Sequence, residues 1–219
     1  MILPRPATRP RCRTRHPLSQ IREYVLHVDR EVARRGEPEK WIGRIAVVAN
    51  CADPDPHHGT RVATLAARIA LALGWSPEGA RELRDAAELH DIGKYALPQA
   101  LLQQPGPLTA SQRELLALHT CAASWLLSGL QHPVFQLARI VGRGHHERWD
   151  GTGYPDRTSG AGIPPAARIV AAADIWDALT NPRPYRPAFC PAEAASMIRG
   201  MTGSALDPHV TGVLLQLVA

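Results

Sequence analysis

Lysine is almost absent from this chain: two lysines, Lys40 and Lys94, stand against 23 arginines. Cysteine is scarce as well. Cys12, Cys51, Cys121 and Cys190 are scattered, and no CxxC spacing occurs. That excludes a zinc ribbon or a dithiol redox motif and leaves four reduced, mostly buried thiols as the expectation. No apolar run approaches the ~18 residues that a membrane-spanning helix needs. The arginines of residues 5–15 are not followed by the apolar segment of a signal peptide. A cytoplasmic protein with no membrane partner is expected. Acidic residues are missing from residues 1–16, where Arg5, Arg9, Arg11, Arg13 and Arg15 account for the formal charge of +5. The rest of the chain is close to neutral, so the high pI is no argument for binding a polymeric nucleic acid.

Strand patterning is also lacking. Phenylalanine occurs twice, and β-branched residues show no clean alternation. Helical periodicity takes its place. Residues 1–17, with Pro4, Pro6, Pro10 and Pro17, read as a disordered tail. Ile21, Val25, Val28 and Val32 predict a helix over 18–35, ended by Gly36 and Pro38. A second helix is predicted from Trp41 to Cys51. Val62, Leu65, Ile69 and Leu73 predict another, ending near Gly74. Ser76 and Pro77 open the next in N-cap and first-turn positions, and it runs toward His90. Thr109 caps a helix whose apolar stripe reads Leu115, Leu118, Ala122 and Leu126. Further helices are expected at 133–144, 165–180, 191–201 and 207–218, with a glycine- and proline-containing loop over 147–164. The fold class is all-α. The organisation is a tail (1–17), a helical extension (18–44) and one catalytic-sized domain (45–219).

On these helices the chemistry falls in few places. His145 and His146 are adjacent imidazoles ahead of a glycine-rich turn. His90 continues the face of Leu83 and Ala87, with Asp91 beside it and Lys94 three residues on. His119 lies between Leu115 and Ala122. Asp174 lies between Val170 and Ala178, and His58 opens the helix of Val62 and Leu65. Any one of these imidazoles alone is an ordinary core histidine. Several inward imidazoles with two carboxylates need a shared explanation, because an unpaired buried carboxylate is costly, and divalent cations satisfy the set better than mutual pairing. Histidine with carboxylate and no thiolate suits iron, manganese, zinc or nickel. The set exceeds one tetrahedral centre, and Asp91 could bridge two ions, which is chemistry that the ligand types support and spacing alone does not show. In a chain that otherwise uses arginine, Lys94 reads as a compact point charge for a phosphate oxygen.

These segments resemble the HD-GYP family, a branch of the HD-domain metal-dependent phosphohydrolases. The matching stretches are HDIGK at 90–94, QPGPLT at 104–109, HT at 119–120, HHERWDGTGYP at 145–155, IP at 163–164, ARIVAAADIWDALT at 167–180 and RPYR at 183–186. HD alone is weak; the motifs in this order and spacing are specific. The resemblance covers about residues 45–215 and implies an HD-domain helical bundle that hydrolyses cyclic di-GMP.

Motif by motif, the resemblance implies His58, His90, Asp91, His119, His145, His146 and Asp174 as metal ligands, with Asp91 bridging two ions, iron or manganese. Lys94 would contact the scissile phosphate. Tyr154 and Gly153 would line the pocket, and Arg183 and Arg186 would grip the phosphates. A bridging hydroxide would then attack phosphorus in line, opening the ring to pGpG and onward to GMP. One departure matters. Where many members carry a glutamate four residues before the first histidine, this chain has Pro54. Two ions rather than three are therefore expected, unless Asp53 or Asp55 substitutes. His57 and His58 both remain candidates for the first ligand. Glu147 and Asp150 are expected to support the loop. A non-hydrolytic adaptor, or a hydrolase of another cyclic dinucleotide, is the alternative. Partners compatible with the family are diguanylate cyclases, a separate regulator chain or a second copy of the protein.

Overall fold

A computed structural model describes residues 18–35, 43–46, 55–182 and 186–219. The tail 1–17, most of the helix expected over 41–51, Asp53, Pro54 and Arg183 lie outside the described residues. Among those described, no strand forms; a single bridge joins Thr202 to Leu206. The helices are α1 (Leu18–Arg35), α2 (His58–Ala72), α3 (Pro77–Ala87), α4 (Gln99–Leu102), α5 (Ala110–Leu126), α6 (Pro133–Gly144), α7 (Pro165–Thr180), α8 (Pro191–Met201) and α9 (Pro208–Leu217). The fold is all-α, as the periodicity requires. No helix among the described residues is long and apolar enough to cross a membrane.

Local chemistry sets many of the helix starts. Ser76 accepts a hydrogen bond from the Gly79 amide at 3.0 Å, with Pro77 in the first turn of α3. Thr109 and Gln112 form a reciprocal capping box at the start of α5. Asp207 accepts from the His209 and Val210 amides at the start of α9. α3 ends at Ala87, three residues before His90. From there the backbone tightens through short-range bonds, Leu89 to Ala86 and His90 to Ala87, into a 3-10 turn over Ile92–Ala96. His90 and Asp91 thus stand in a turn rather than on a helix.

Two apolar cores share the helices. One packs α2, α3, α7 and α9 around Leu83, Ile69, Val170 and Leu214. The other gathers Ile21, Val25, Val28 and Val32 of α1 with Leu89, Leu126, Phe135 and Ala138. α1 is also fixed by charge. Arg22 donates to the carbonyls of Trp125, Leu126 and Ser128 at the end of α5. Asp29 accepts from the amides of Gln131 and His132 ahead of α6. Each charge opposes the partial charge of the helix end that it meets.

The apolar stripe expected on α5 is buried at Leu126 but not at its two other leucines. Leu115 and Leu118 are 38% and 53% exposed, and the buried face carries His119, Thr120, Ala123 and Leu126. Close approach explains the choice. A Cβ on Gly93 would lie 1.8 Å from the His119 carbonyl oxygen, and one on Gly142 would lie 2.9 Å from the Ala123 Cβ. Positions 93 and 142 leave no room for a side chain where the 3-10 turn and α6 lie directly on α5, and this contact covers the face of His119 and Ala123 rather than that of Leu115 and Leu118.

Candidate metal centre

The tight packing of α5 against the 90–94 turn and α6 brings seven side chains from separate segments together. His58 comes from the start of α2, His90 and Asp91 from the turn after α3, and His119 from α5. His145 is the residue that ends α6, with His146 next to it, and Asp174 comes from α7. Potential ligand atoms fall into two groups, each within 4.8 Å of one another: Asp91, His119, His145 and His146 in one, His58, His90 and Asp174 in the other. Asp91 faces both. Its Oδ1 lies 3.4 Å from His119 Nε2 and 3.8 Å from His145 Nε2. Its Oδ2 lies 3.1 Å from His90 Nε2 and 3.8 Å from His58 Nε2. Between the two adjacent candidates for the first position, His58 is buried in this group and His57 is exposed.

Four rings are oriented alike. The Nδ1 of His90 donates to the Ala87 carbonyl at 2.7 Å, that of His119 to Leu116 at 2.7 Å and that of His145 to Val141 at 3.0 Å. His58 Nδ1 meets Asp177 Oδ2 at 2.7 Å. With Nδ1 engaged as a donor, each ring turns its Nε2 inward, the arrangement that a hydrogen-bond partner behind the ring imposes on metal-binding histidines. Two buried atoms here have no hydrogen-bond partner, His90 Nε2 and Asp91 Oδ1. His119 Nε2 and His145 Nε2 stand 3.4 Å apart. A nitrogen- and oxygen-donor set with orphaned acceptors fits divalent cations of the iron, manganese or zinc type.

The electrostatics agree with that fit. Burial opposes the charge of Asp91, yet Lys94 and His90 more than offset it and hold the carboxyl well below its usual range. Asp174 is likewise held low: burial works against it, and its bond to His58 wins. Burial pushes His146 down to about 4, aided by His119, and holds His145 well below its ordinary value, aided by His146. Those two rings are neutral at pH 7 and carry free lone pairs.

Around this set, Lys94 Nζ sits 2.5 Å from Asp91 Oδ2 with one fifth of its side chain exposed. The Tyr154 ring stacks on His146 with centroids 4.9 Å apart. Gly153 has no space for a side chain, because a Cβ would lie 2.4 Å from the Arg148 amide nitrogen and 2.6 Å from the His146 carbonyl oxygen. Glu147 accepts from the Asp156 and Thr158 amides, and Asp150 accepts from Thr152 and Arg148, so both carboxylates hold the loop. Arg186, expected at the phosphates, rests on groups of the protein itself. Its guanidinium donates to the carbonyls of Ala178, Leu179 and Pro187 and lies 4.3 Å over Phe189. It therefore holds the C-terminal end of α7.

Two residues that the sequence did not single out complete the arrangement. Asp177 accepts from His58, from Arg61 Nε at 2.6 Å and Nη2 at 2.9 Å, and from Asn181 at 2.9 Å. Arg61 also pairs with Asp55. Spacing offered a signal: Asp174 and Asp177 share a face of an apolar helix, as do His58 and Arg61 of α2.

The sequence pattern of the HD domain matches residues 46–210. The cyclic di-GMP phosphodiesterase response regulator RpfG of Xanthomonas campestris is 40% identical over 156 residues, 71% of this chain and 41% of the relative. A cyclic di-GMP phosphodiesterase of Thermotoga maritima is 39% identical over 166 residues, 75% of this chain and 45% of the relative. The chain thus spans less than half the length of these curated relatives. The solved structure of an HDG"Y"P protein from Bdellovibrio bacteriovorus superposes with a TM-score of 0.62 at 20% identity, covering 92% of this chain and 71% of that one. With an HD domain matched over most of its length and the HDIGK and HHERWDGTGYP segments meeting at one site, the chain belongs to the HD-domain family, in its HD-GYP branch.

Proposed function

We propose that this protein is a metal-dependent phosphodiesterase that hydrolyses cyclic di-GMP to pGpG and, on continued hydrolysis, to GMP. The observation that carries this reading is the inward convergence of histidine Nε2 atoms on the two oxygens of Asp91, leaving buried acceptors without a hydrogen-bond partner, which divalent cations satisfy. Two iron or manganese ions there would supply a nucleophilic water at neutral pH and offset charge on the phosphate. His58, His90 and Asp174 would hold one ion and His119, His145 and His146 the other, with Asp91 available to both.

The remaining roles belong to the chain's own groups. Lys94 Nζ, already against Asp91, presents its positive charge to a non-bridging oxygen of the scissile phosphate and stabilises the charge that grows there. Tyr154, stacked on His146, forms a wall that fixes the nucleotide and limits water. Gly153 lets that wall close onto the backbone of residues 146–148. Arg183 binds the second phosphate. Arg186 joins it when its bonds to the end of α7 are exchanged for the ligand.

The test is anaerobic purification with elemental analysis, followed by turnover of cyclic di-GMP and of cyclic GMP-AMP in parallel. Two metal equivalents with cyclic di-GMP turnover support the reading. Binding of cyclic di-GMP without turnover in the loaded protein replaces it with a non-hydrolytic adaptor, and faster turnover of cyclic GMP-AMP changes the substrate.

A further inference from the structure

We infer that Asp177 is a positioning residue for the metal centre: held by Arg61 and Asn181, it fixes the His58 ring so that Nε2 faces Asp174 and Asp91. The inference rests on the reading of the seven-residue set as a metal centre. Among the four inward histidines whose Nδ1 partners are described above, His58 alone is oriented by a side chain. His90, His119 and His145 lean on backbone carbonyls of the turns just before them. His58 opens its helix, and the Asp55 carbonyl of the turn before it accepts the His58 amide rather than its Nδ1. Asp177 supplies that acceptor from α7, across the interface with α2, at 2.7 Å.

The geometry of the clamp makes its direction definite. Asp177 is 4% exposed. Its Oδ2 accepts from His58 Nδ1 and Arg61 Nη2, and its Oδ1 from Arg61 Nε and Asn181 Nδ2. A carboxylate only accepts, so His58 Nδ1 keeps its hydrogen against Asp177, while the Nε2 hydrogen, given to Asp174 in the metal-free protein, is the one that a cation displaces. Nε2 then stands 3.2 Å from Asp174 Oδ1. Asp174 and Asp177 lie three residues apart on α7, so one turn of helix supplies both a proposed ligand and the support for its neighbour.

An amide at position 177 would break this arrangement without changing its shape. It offers one accepting oxygen to four donors. Turned toward Arg61 and Asn181, it presents its NH2 to His58 Nδ1 and forces the ring hydrogen onto Nε2, where it blocks the cation. Turned the other way, it sets the NH2 against Arg61 and Asn181.

The experiment titrates the chelator-treated full chain with Mn2+ by calorimetry and by electron paramagnetic resonance of the free ion. Wild type, Asp177→Asn, His58→Ala and the double variant are compared, with circular dichroism reporting the fold. Loss of the hydrogen-bond partner behind a metal-binding histidine costs about 10–100-fold in metal affinity. Asp177→Asn should weaken one of two Mn2+ equivalents by that factor and leave the other little changed. In the His58→Ala background the same substitution should have no further effect on affinity, because the two changes act through one ring. A purely structural role would lower the melting temperature of the chelated protein, leave both affinities intact and act equally in either background; that result overturns the inference. If Asp177→Asn does not fold, Arg61→Met frees one side of the carboxylate, and a smaller loss at the same equivalent is expected; unchanged affinity there overturns it too. A wild-type chain that takes up no Mn2+ defeats the metal-centre reading itself, a different outcome from two intact sites in the variant.

Discussion

His119 and His145 point their Nε2 atoms at each other across 3.4 Å. Each ring's Nδ1 donates to a carbonyl of its own helix, and burial holds both imidazoles below their ordinary protonation range. Neither nitrogen has a hydrogen to share, so two lone pairs meet. A cation between them turns repulsion into coordination. His119→Leu should therefore act in opposite directions in two states. In the chelator-treated protein it should hold or raise the melting temperature. In the presence of metal it should abolish much of the stabilisation that wild type gains, about 2.7 kcal/mol at a hundredfold excess over Kd. Thermal shift with and without Mn2+ reads both. A variant that keeps the full metal-dependent gain would remove His119 from the centre.

The pH dependence of the chelator-treated protein follows from two opposite shifts. Burial, with the charge of His119, pushes His146 down to about 4. Below pH 6.5, its ordinary value, the unfolded chain takes up a proton that the fold refuses, so stability falls as pH drops from 6.5 toward 4. His58 behaves in reverse. Burial opposes its charge, but bonds to Asp174 and Asp177 and the charge of Asp91 raise it to about 10. Its contribution is full below 6.5 and is lost as pH rises toward 10. Melting temperature should therefore peak between pH 6 and 7, roughly where both groups meet their ordinary value. His146→Asn should lessen the acid limb, which His119 and His145 share in the same direction, and leave the alkaline limb unchanged. A melting temperature that climbs steadily through pH 9 would contradict the His58 shift.

Gly93 tests whether close packing or ligand identity limits the HDIGK segment. Its Cβ would lie 1.8 Å from the His119 carbonyl oxygen and 2.6 Å from the Ala123 amide nitrogen. Both neighbours are backbone of a helix and do not yield as a flexible side chain does. Gly93→Ala should cost on the order of 3 kcal/mol, the upper part of the range for overpacking. It should also displace His90, Asp91 and Lys94 together. Chemical denaturation measures the first effect and Mn2+ affinity the second. A neutral substitution would mean that the 92–96 turn moves away from α5 at little cost.

How much of this was legible depended on whether the signal lay in one segment or between segments. Helix starts at Ser76 and Thr109 could be read because a cap and its first turn are neighbours in sequence. The seven donors could be listed from motifs, and they do lie together in the fold. The face of α5 could not. Leu115 and Leu118 looked like core because apolar spacing carries no information about Gly93 and Gly142, which reach that helix from elsewhere and admit only small residues. Asp177 was overlooked for a related reason. Its partners His58 and Arg61 lie more than a hundred residues away, and in the sequence it is one acid among several. For Arg186 the motif shows only its basic character, and the carbonyls at the end of α7 on which its guanidinium rests are visible only in the fold.

Tyr154 should separate substrate placement from metal binding. Its ring lies on His146 at a 29° tilt, and burial, with the nearby carboxylates Asp91 and Asp174, pushes its hydroxyl above the ordinary value, so it stays neutral. An uncharged aromatic wall is suited to a nucleotide base or ribose. Tyr154→Ala should raise KM for cyclic di-GMP about tenfold, worth roughly 1.4 kcal/mol, while both Mn2+ equivalents remain. Loss of a metal equivalent with unchanged KM would make the residue a support for His146 instead.

Asp55 is the described one of the two acids, Asp53 and Asp55, that would have to replace the glutamate for a third ion. It precedes His58 by three residues, close to where a third-ion carboxylate would be sought, but it is already engaged. Its Oδ2 pairs with Arg61 Nη2 at 2.5 Å, and its Oδ1 accepts the His57 amide at 3.0 Å. The Arg61 bond holds the carboxyl below its usual range, with burial opposing. Turning Asp55 toward a cation would strip Arg61 of one of its two carboxylates and leave the other, Asp177, as its remaining anchor. The exchange gains one ligand bond and loses a bonded ion pair, so the pair should persist. Elemental analysis of the full chain should then give two equivalents, and Asp55→Ala should keep both, with its effect confined to a modest fall in melting temperature. Three equivalents in wild type that drop to two in Asp55→Ala would identify Asp55 as the missing ligand and make the Arg61 pair a feature of the metal-depleted protein alone.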